Sequence, residues 1–388
     1  MIDCCPVCGG SDHESIVSLP SLPVLINAQV EPACAPGVPL GAIDLVACRR
    51  CGHLFNAAFD EELLDYDAAY ENTLHFSPRF QEYATSLAER LVADHGLEGT
   101  RVGELGSGPG HFLSMLCDAG VADGLGWDPS FDAGRMGAPE HAAVSISTDP
   151  FPDDGSIPMT LAFSQHVLEH LLDPVAALAG QRAAVADLDG TVYAEVPNGA
   201  LMVSEVALWD LIYEHLSFFV PSSLETAARR AGLQVDTIGT SYDDQFLWCE
   251  ATPGPRDVHW LPDADEVTAG IECARDFGAS VTERINDSRA LVQRRSSDGP
   301  VALWGAGSKG MTFLNLLGGD AQVAAVVDIN PRKLGAGVPG TQLTISGPEH
   351  LVDLAPSLVL AANPAYVGEI GAQLEGLGID TEVMALWG

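Results

Sequence analysis

Residues 101–130 read RVGELGSGPGHFLSMLCDAGVADGLGWDPS. A short apolar run, Arg101–Glu104, leads into Gly106, Gly108 and Gly110. An amphipathic pattern over 111–119 follows, and a second apolar run ends at Asp128. The order is strand, glycine turn, helix N-terminus, strand, carboxylate. Glycine permits positive φ and close approach of a ligand to the backbone. A carboxylate that ends the second strand is placed to bind a ribose diol. The spacing is E-x-G-x-G-x-G, which differs from the hydride-cofactor pattern G-x-G-x-x-G.

Further strand-like runs recur at 159–163, 190–195 and 234–239, separated by helical segments. That alternation predicts a doubly wound α/β sheet. Ligands of such sheets bind at the carboxyl ends of the strands. The glycine turn, Asp128 and the stretch FSQHVLEHLLDP (163–174) all fall there. A second strand–glycine–helix element, VALWGAGSKG (301–310), opens the last third. Apolar runs at 323–328, ending in Asp328, and at 358–362 follow it. This predicts a C-terminal Rossmann-like domain, either binding a nucleotide through Lys309 or backbone amides or closing over the first pocket. Residues 254–299 carry the pattern of a linking helix.

The chain has 388 residues and 19% charged residues, enough for two or three globular domains. We divide it at 1–60, 61–255 and 256–388. No apolar run reaches the ~20 residues of a membrane span, and no basic-then-apolar leader is evident. A soluble, cytoplasmic protein is expected. Its 54 acidic against 18 basic residues give a net charge of −36. Such a surface repels nucleic acid and anionic membranes. The expected partner is a small molecule, with the chain a monomer or homodimer.

The nine cysteines include two C-x-x-C-G knuckles, Cys5/Cys8 and Cys48/Cys51. Two thiolate pairs make a closed tetrahedral site, so structural zinc is expected. Cys4 adjoins Cys5, but the spacing favours Cys5. The intervening run 16–27 is apolar and proline-punctuated, as if packed on the next domain.

Tyr66, Tyr70, Asn72 and His75 precede the first strand of the sheet. They form either a lid over the pocket or ordinary core. Glu195-Val-Pro-Asn198 and Tyr213-Glu214-His215 form the candidate catalytic segment. A buried His beside a carboxylate is suited to accepting a proton near neutral pH. Consecutive helical residues diverge by about 100°. The three side chains therefore converge only on irregular backbone.

The glycine turn with Asp128 resembles motif I of class I S-adenosylmethionine (SAM) methyltransferases. That resemblance implies SAM contacts from Glu104, Gly106, Gly108, Gly110 and Asp128, with Asp128 on the ribose. FSQHVLEHLLDP resembles the motif after the fourth strand, which implies His166 near SAM and His170 facing the pocket. Asp149 lies in the loop that commonly holds adenine, and Tyr70 is the candidate lid contact. With the cysteine pairs, EHLSFF (214–219) and WGAGSKG (304–310), nearly the whole chain resembles the sugar C-methyltransferases of deoxysugar biosynthesis, which includes antibiotic pathways. The family has an N-terminal zinc module, a central SAM domain and a C-terminal Rossmann-like domain.

The resemblance implies C-methylation of a keto sugar carried on a nucleotide, through an enolate. His215 would be the base, Glu214 would orient it or hold a sugar hydroxyl, and Tyr213 and His170 would contact the substrate or stabilise the enolate. Ile212 stands where the family has a tyrosine, three residues before the His, and Tyr213 is one residue nearer. Two further readings stay open here: an O-methyltransferase acting on a sugar or other hydroxylated metabolite, and a non-catalytic binding protein on a vestigial fold.

Overall fold

The computed structural model describes residues 2–64, 71, 73–318 and 322–386. The N-terminal strands are β1 (His13–Pro23), β2 (Leu40–Cys48) and β3 (Leu54–Asn56). The middle of the chain contributes β4 (Arg101–Leu105), β5 (Asp123–Trp127), β6 (Val144–Ser147), β7 (Leu161–Gln165), β8 (Thr191–Pro197), β9 (Ser217–Phe218), β10 (Leu233–Ser241) and β11 (Phe246–Pro253). The C-terminal strands are β12 (Val301–Trp304), β13 (Val323–Val327), β14 (Ile345–Ser346), β15 (Leu358–Ala361) and β16 (Glu382–Ala385).

The central sheet has seven strands in the order β10-β11-β8-β7-β4-β5-β6. Strands β8, β7, β4, β5 and β6 are parallel to one another, while β11 runs antiparallel to both β8 and β10. The order turns back beside β4, so the carboxyl ends of β4, β5 and β7 open onto one crevice. Helices cover both faces of the parallel strands, and Phe163, Val192 and Tyr193 are fully buried between them. Strands β6 and β11 were not among the expected runs. The first is a four-residue edge strand, and the second, FLWCEATP, carries polar residues in mid-strand.

The C-terminal sheet is parallel, in the order β14-β13-β12-β15-β16. The helix Ala264–Ser296 precedes it, capped by Asp263 at Asp265 N. It buries Val267, Ile271, Ala274, Phe277 and Val281 along one face. No helix among the described residues is long and apolar enough to cross a membrane.

The N-terminal sheet has the order β1-β2-β3-β9, so its last strand comes from the middle of the chain. Leu54 pairs with Phe218 and Phe55 with Ser217. The N-terminal segment also reaches the C-terminal sheet domain, where Gly337 N donates to Val30 O (2.7 Å) and Gly340 N to Ala35 O (2.8 Å). Leu22, Val24 and Ile26 of the proline-punctuated run are buried in the core shared by these parts.

Candidate active site and the four-cysteine cluster

Strand β4 delivers the chain into the glycine turn. Gly106, Gly108 and Gly110 all have positive φ, at 73°, 51° and 76°. A Cβ on Gly106 would stand 2.4 Å from Val167 Cγ2, so this position has no room for a side chain. A Cβ on Gly108 would meet nothing within 4 Å, so the turn faces open space there. Gly108 N donates to Asp128 Oδ2 (2.8 Å), which ties the turn to the end of β5. Ser130 N and Oγ donate to the other oxygen, Asp128 Oδ1, at 2.8 and 2.6 Å.

Glu104 is buried one strand away, and its Oε2 has no hydrogen-bond partner. Burial, and then the charge of Asp128, holds its carboxyl well above the usual carboxylate range. Glu104 Oε2 lacks a partner that a cationic amine would supply, and Asp128 keeps acceptor capacity for a ribose diol. SAM has both, so the residues present fit it. Asp149 is exposed just beyond β6 and bonds Ser147 through Ser147 Oγ. The ring of His75 lies 4.7 Å from that of His111, the first residue of the helix that follows the turn. Tyr66, Tyr70 and Asn72 lie outside the described residues.

At the end of β7, His166 takes φ 55°, a left-handed conformation that costs energy for a side-chain-bearing residue. Its ring packs on Phe246 with centroids 4.4 Å apart. Burial, then the nearby Lys309 and His170, lowers it to about 3. His170 closes the next short turn, with Nδ1 3.0 Å from Glu214 O. Burial lowers His170 to about 4. The His215 ring packs edge-on to that of His170, with centroids 4.9 Å apart. His215 is also buried and held well below its ordinary value, by burial first and then by His170 and His166.

The Tyr-Glu-His run lies on a turn, and its side chains separate. Tyr213 Oη accepts from Asp60 N (2.8 Å), and its ring stacks on Phe59 in the N-terminal core. Tyr213, expected to contact the substrate, is buried there and anchors the turn. Glu214 is fully buried and accepts from Ile26 N (3.1 Å). Its carboxyl, pushed up to about 8 by burial, is turned to the N-terminal segment and not to His215's ring. Only His215 joins His170 at the crevice.

Two further buried acids border the site: Glu195, from the candidate catalytic segment, and Glu169, which the sequence did not single out. Glu195 accepts from Tyr83 Oη (2.5 Å), Tyr193 Oη (2.8 Å) and Gln165 Nε2 (3.2 Å), a network assembled from three elements. Glu169, inside the quoted LEHL, is 1% exposed and pushed up to about 8 by burial. Its position between two histidines was the available signal.

The C-terminal glycine turn repeats the first one. Ala306 N donates to Asp328 Oδ2 (2.7 Å) at the end of β13. A cavity of about 140 Å³ opens there, lined by Trp304, Lys309, Asp328, Asn330, Lys333 and Tyr366 among others. Lys309 Nζ is 3.5 Å from Asp210 Oδ1, five residues before His215. The bridge joins this cavity to the candidate catalytic segment.

Cys5, Cys8, Cys48 and Cys51 are buried together, with Sγ–Sγ distances of 3.7 Å (Cys5–Cys51) and 3.5 Å (Cys8–Cys48). Tetrahedral Zn–S bonds place sulfurs about 3.8 Å apart. Cys8 N and Gly10 N donate to Cys5 Sγ and Cys8 Sγ. The donor set fits zinc.

This fold, with an acid-and-glycine cradle at the switch point of its sheet, defines a class I SAM-dependent methyltransferase. A family model described as a methyltransferase domain matches residues 76–238, and one described as a C-methyltransferase C-terminal domain matches 258–380. C-methyltransferase NovU of Streptomyces niveus is 27% identical over 95% of this chain and 91% of its own length. These matches support a SAM-dependent C-methyltransferase over the oxygen-acceptor and non-catalytic readings. Fold-level likeness extends to magnesium protoporphyrin IX methyltransferase of Synechocystis PCC 6803 with bound S-adenosylhomocysteine (16% identity, 45% of this chain and 84% of that one, TM-score 0.36). The 1,6-didemethyltoxoflavin-N1-methyltransferase of Burkholderia thailandensis is similar at 15% identity, 52% and 96% coverage and TM-score 0.35.

Proposed function

We propose that the acceptor is a carbon beside a ketone, in a sugar or nucleotide-linked sugar, and that His215 removes its proton. The observation that carries this reading is the pairing of His215 with His170, beside a cavity lined by Lys309 and Asp328 and joined to their segment through Lys309 and Asp210. The cavity offers Lys309 and the amides of a glycine turn to a phosphate group. With an overall charge of −36, such local donors are what an anionic substrate needs. The sugar is then held between the two sheets, with its reacting carbon at the histidines. A deoxysugar step of antibiotic biosynthesis, in a cytoplasmic monomer or homodimer, accords with this reading.

In the mechanism, Glu104, the glycine turn and Asp128 hold SAM, and His166 borders it. When bound, SAM supplies an electrophilic methyl group to a carbon nucleophile. His215, neutral because burial disfavours its cation, takes the acceptor proton. His170 fixes the approach of the acceptor. Glu214 and Tyr213 act by anchoring the turn that carries His215. The four cysteines hold zinc as a structural ion.

The test uses a nucleotide-linked 4-keto deoxysugar in deuterated water, without SAM. Wild-type enzyme is expected to exchange the acceptor C–H for deuterium, and His215→Ala is expected not to. Equal exchange by the two proteins, or none by wild type, overturns the reading.

A further inference from the structure

Beside the proposed base lies a set of buried polar atoms that protein–protein hydrogen bonds leave unused. Both carboxyl oxygens of Glu169 are buried without a partner, and so is His215 Nδ1. His170 Nε2 stands 3.9 Å from Glu169 Oε1. One ligand atom from each of Glu169, His170 and His215 lies within 4.8 Å of the other two. Leaving a buried carboxyl wholly unbonded costs free energy, so the pocket is built for something that bonds it.

The histidines are oriented in a particular way. His170 places Nδ1 on Glu214 O (3.0 Å), which makes that nitrogen the donor and leaves the Nε2 lone pair toward Glu169. His215 has a backbone hydrogen bond to Asp210, and its Nδ1 is the unpartnered atom. A ring with one nitrogen on a main-chain carbonyl and the other presented to a shared point is the usual posture of a metal ligand. Two imidazoles and one carboxylate suit zinc, cobalt, nickel or iron, whereas magnesium and calcium favour all-oxygen sites. Ligand distances near 2.1 Å require the three groups to draw in by about 1 Å, a movement within side-chain reach. The His170 side chain is 21% exposed, which gives an ion a route in.

We infer that Glu169, His170 and His215 form a binding site for one divalent transition-metal ion, and that an ion held there blocks methyl transfer. The nitrogen lone pair that would ligate the ion is the one that would take the acceptor proton, so the two states exclude each other. The inhibitory half rests on the reading of His215 as base; the binding half does not.

The test loads the four-cysteine cluster with zinc and then titrates the full-length enzyme with Co²⁺. One additional Co²⁺ per chain is expected by equilibrium dialysis. Visible d–d bands without thiolate charge-transfer bands should accompany it, showing that the cysteines are not exchanged. Glu169→Gln and His170→Asn should each weaken this binding at least about tenfold, with S-adenosylhomocysteine affinity retained as proof of folding. No additional Co²⁺, or unchanged binding in both variants, overturns the site. Bound Co²⁺ with undiminished turnover overturns the inhibition instead. Absent Co²⁺ binding together with an inactive His215→Ala enzyme would reject the metal site and leave the base assignment standing.

Discussion

His170 Nδ1 lies 3.0 Å from the main-chain carbonyl of Glu214, the residue before His215. A carbonyl only accepts, so His170 is the Nδ1–H tautomer. The bond ties the motif after β7 to the catalytic turn across 44 residues of sequence. His215→Ala should lower kcat by about 10²- to 10⁴-fold, the range for loss of a general base. His170→Ala should cost less, because it removes a positioning contact and leaves the base. Initial rates, with calorimetry of S-adenosylhomocysteine, measure both. Full turnover in His215→Ala would remove the base from the mechanism.

Asp128 receives Gly108 N and the two donors of Ser130, so it shapes the cofactor turn as well as facing it. Asp128→Ala is expected to weaken S-adenosylhomocysteine binding by about 10- to 100-fold, the loss of one to two charge-assisted hydrogen bonds. Gly106→Ala should fail differently. Its methyl would meet Val167 at 2.4 Å on a backbone with φ 73°, so the melting temperature drops along with affinity. A Gly106→Ala protein with normal melting and normal affinity contradicts the turn described here.

The cysteine cluster reaches the crevice through β3. His53, two residues after Cys51, places Nε2 3.1 Å from Ser217 Oγ, and Phe55 pairs with Ser217. Ser217 is two residues after His215. Metal in such a site is folding energy for the module around it. Cys51→Ser should therefore lose bound zinc and lose most of kcat, while S-adenosylhomocysteine, bound on β4 and β5, keeps its affinity within about threefold. Zinc analysis and binding isotherms decide it; a zinc-free variant with wild-type kcat contradicts the coupling.

Stability should depend on pH in two windows. Glu169 and Glu214 hold their protons in the folded state to about pH 8, whereas the unfolded chain releases them near 4.5. The folded state binds more protons between those values, so these groups make stability fall as pH rises through that window. His166 and His170, lowered to about 3 and about 4 from 6.5, act in reverse and make stability rise with pH up to about 6.5. From pH 6.5 to 8 the two carboxyls act without that opposition, and the melting temperature should fall. Glu214→Gln keeps an acceptor for Ile26 N but cannot ionise, so its melting curve should be flatter over this window. An unchanged slope in the variant would show that Glu214 titrates normally.

Much of this was written in local chemistry. A turn with positive φ at 106, 108 and 110 favours glycine at each position, and two C-x-x-C-G knuckles offer four thiols to a shared ion. The apolar runs at β4, β5, β7, β8 and β12 alternate with helices and define the sheets. These features depend on neighbours a few residues away, so sequence alone sufficed for the α/β fold, the cofactor cradle and the cysteine cluster. Tertiary structure decided the roles within Tyr213-Glu214-His215. On one turn, Tyr213 meets Asp60, Glu214 meets Ile26, and His215 meets His170, each partner distant in sequence. The direction taken by each of three adjacent side chains depends on what packs against the turn. Spacing carries no record of that, just as it carried none of the Glu169 carboxyl standing without a hydrogen-bond partner or of β9 completing the sheet beside the cysteines.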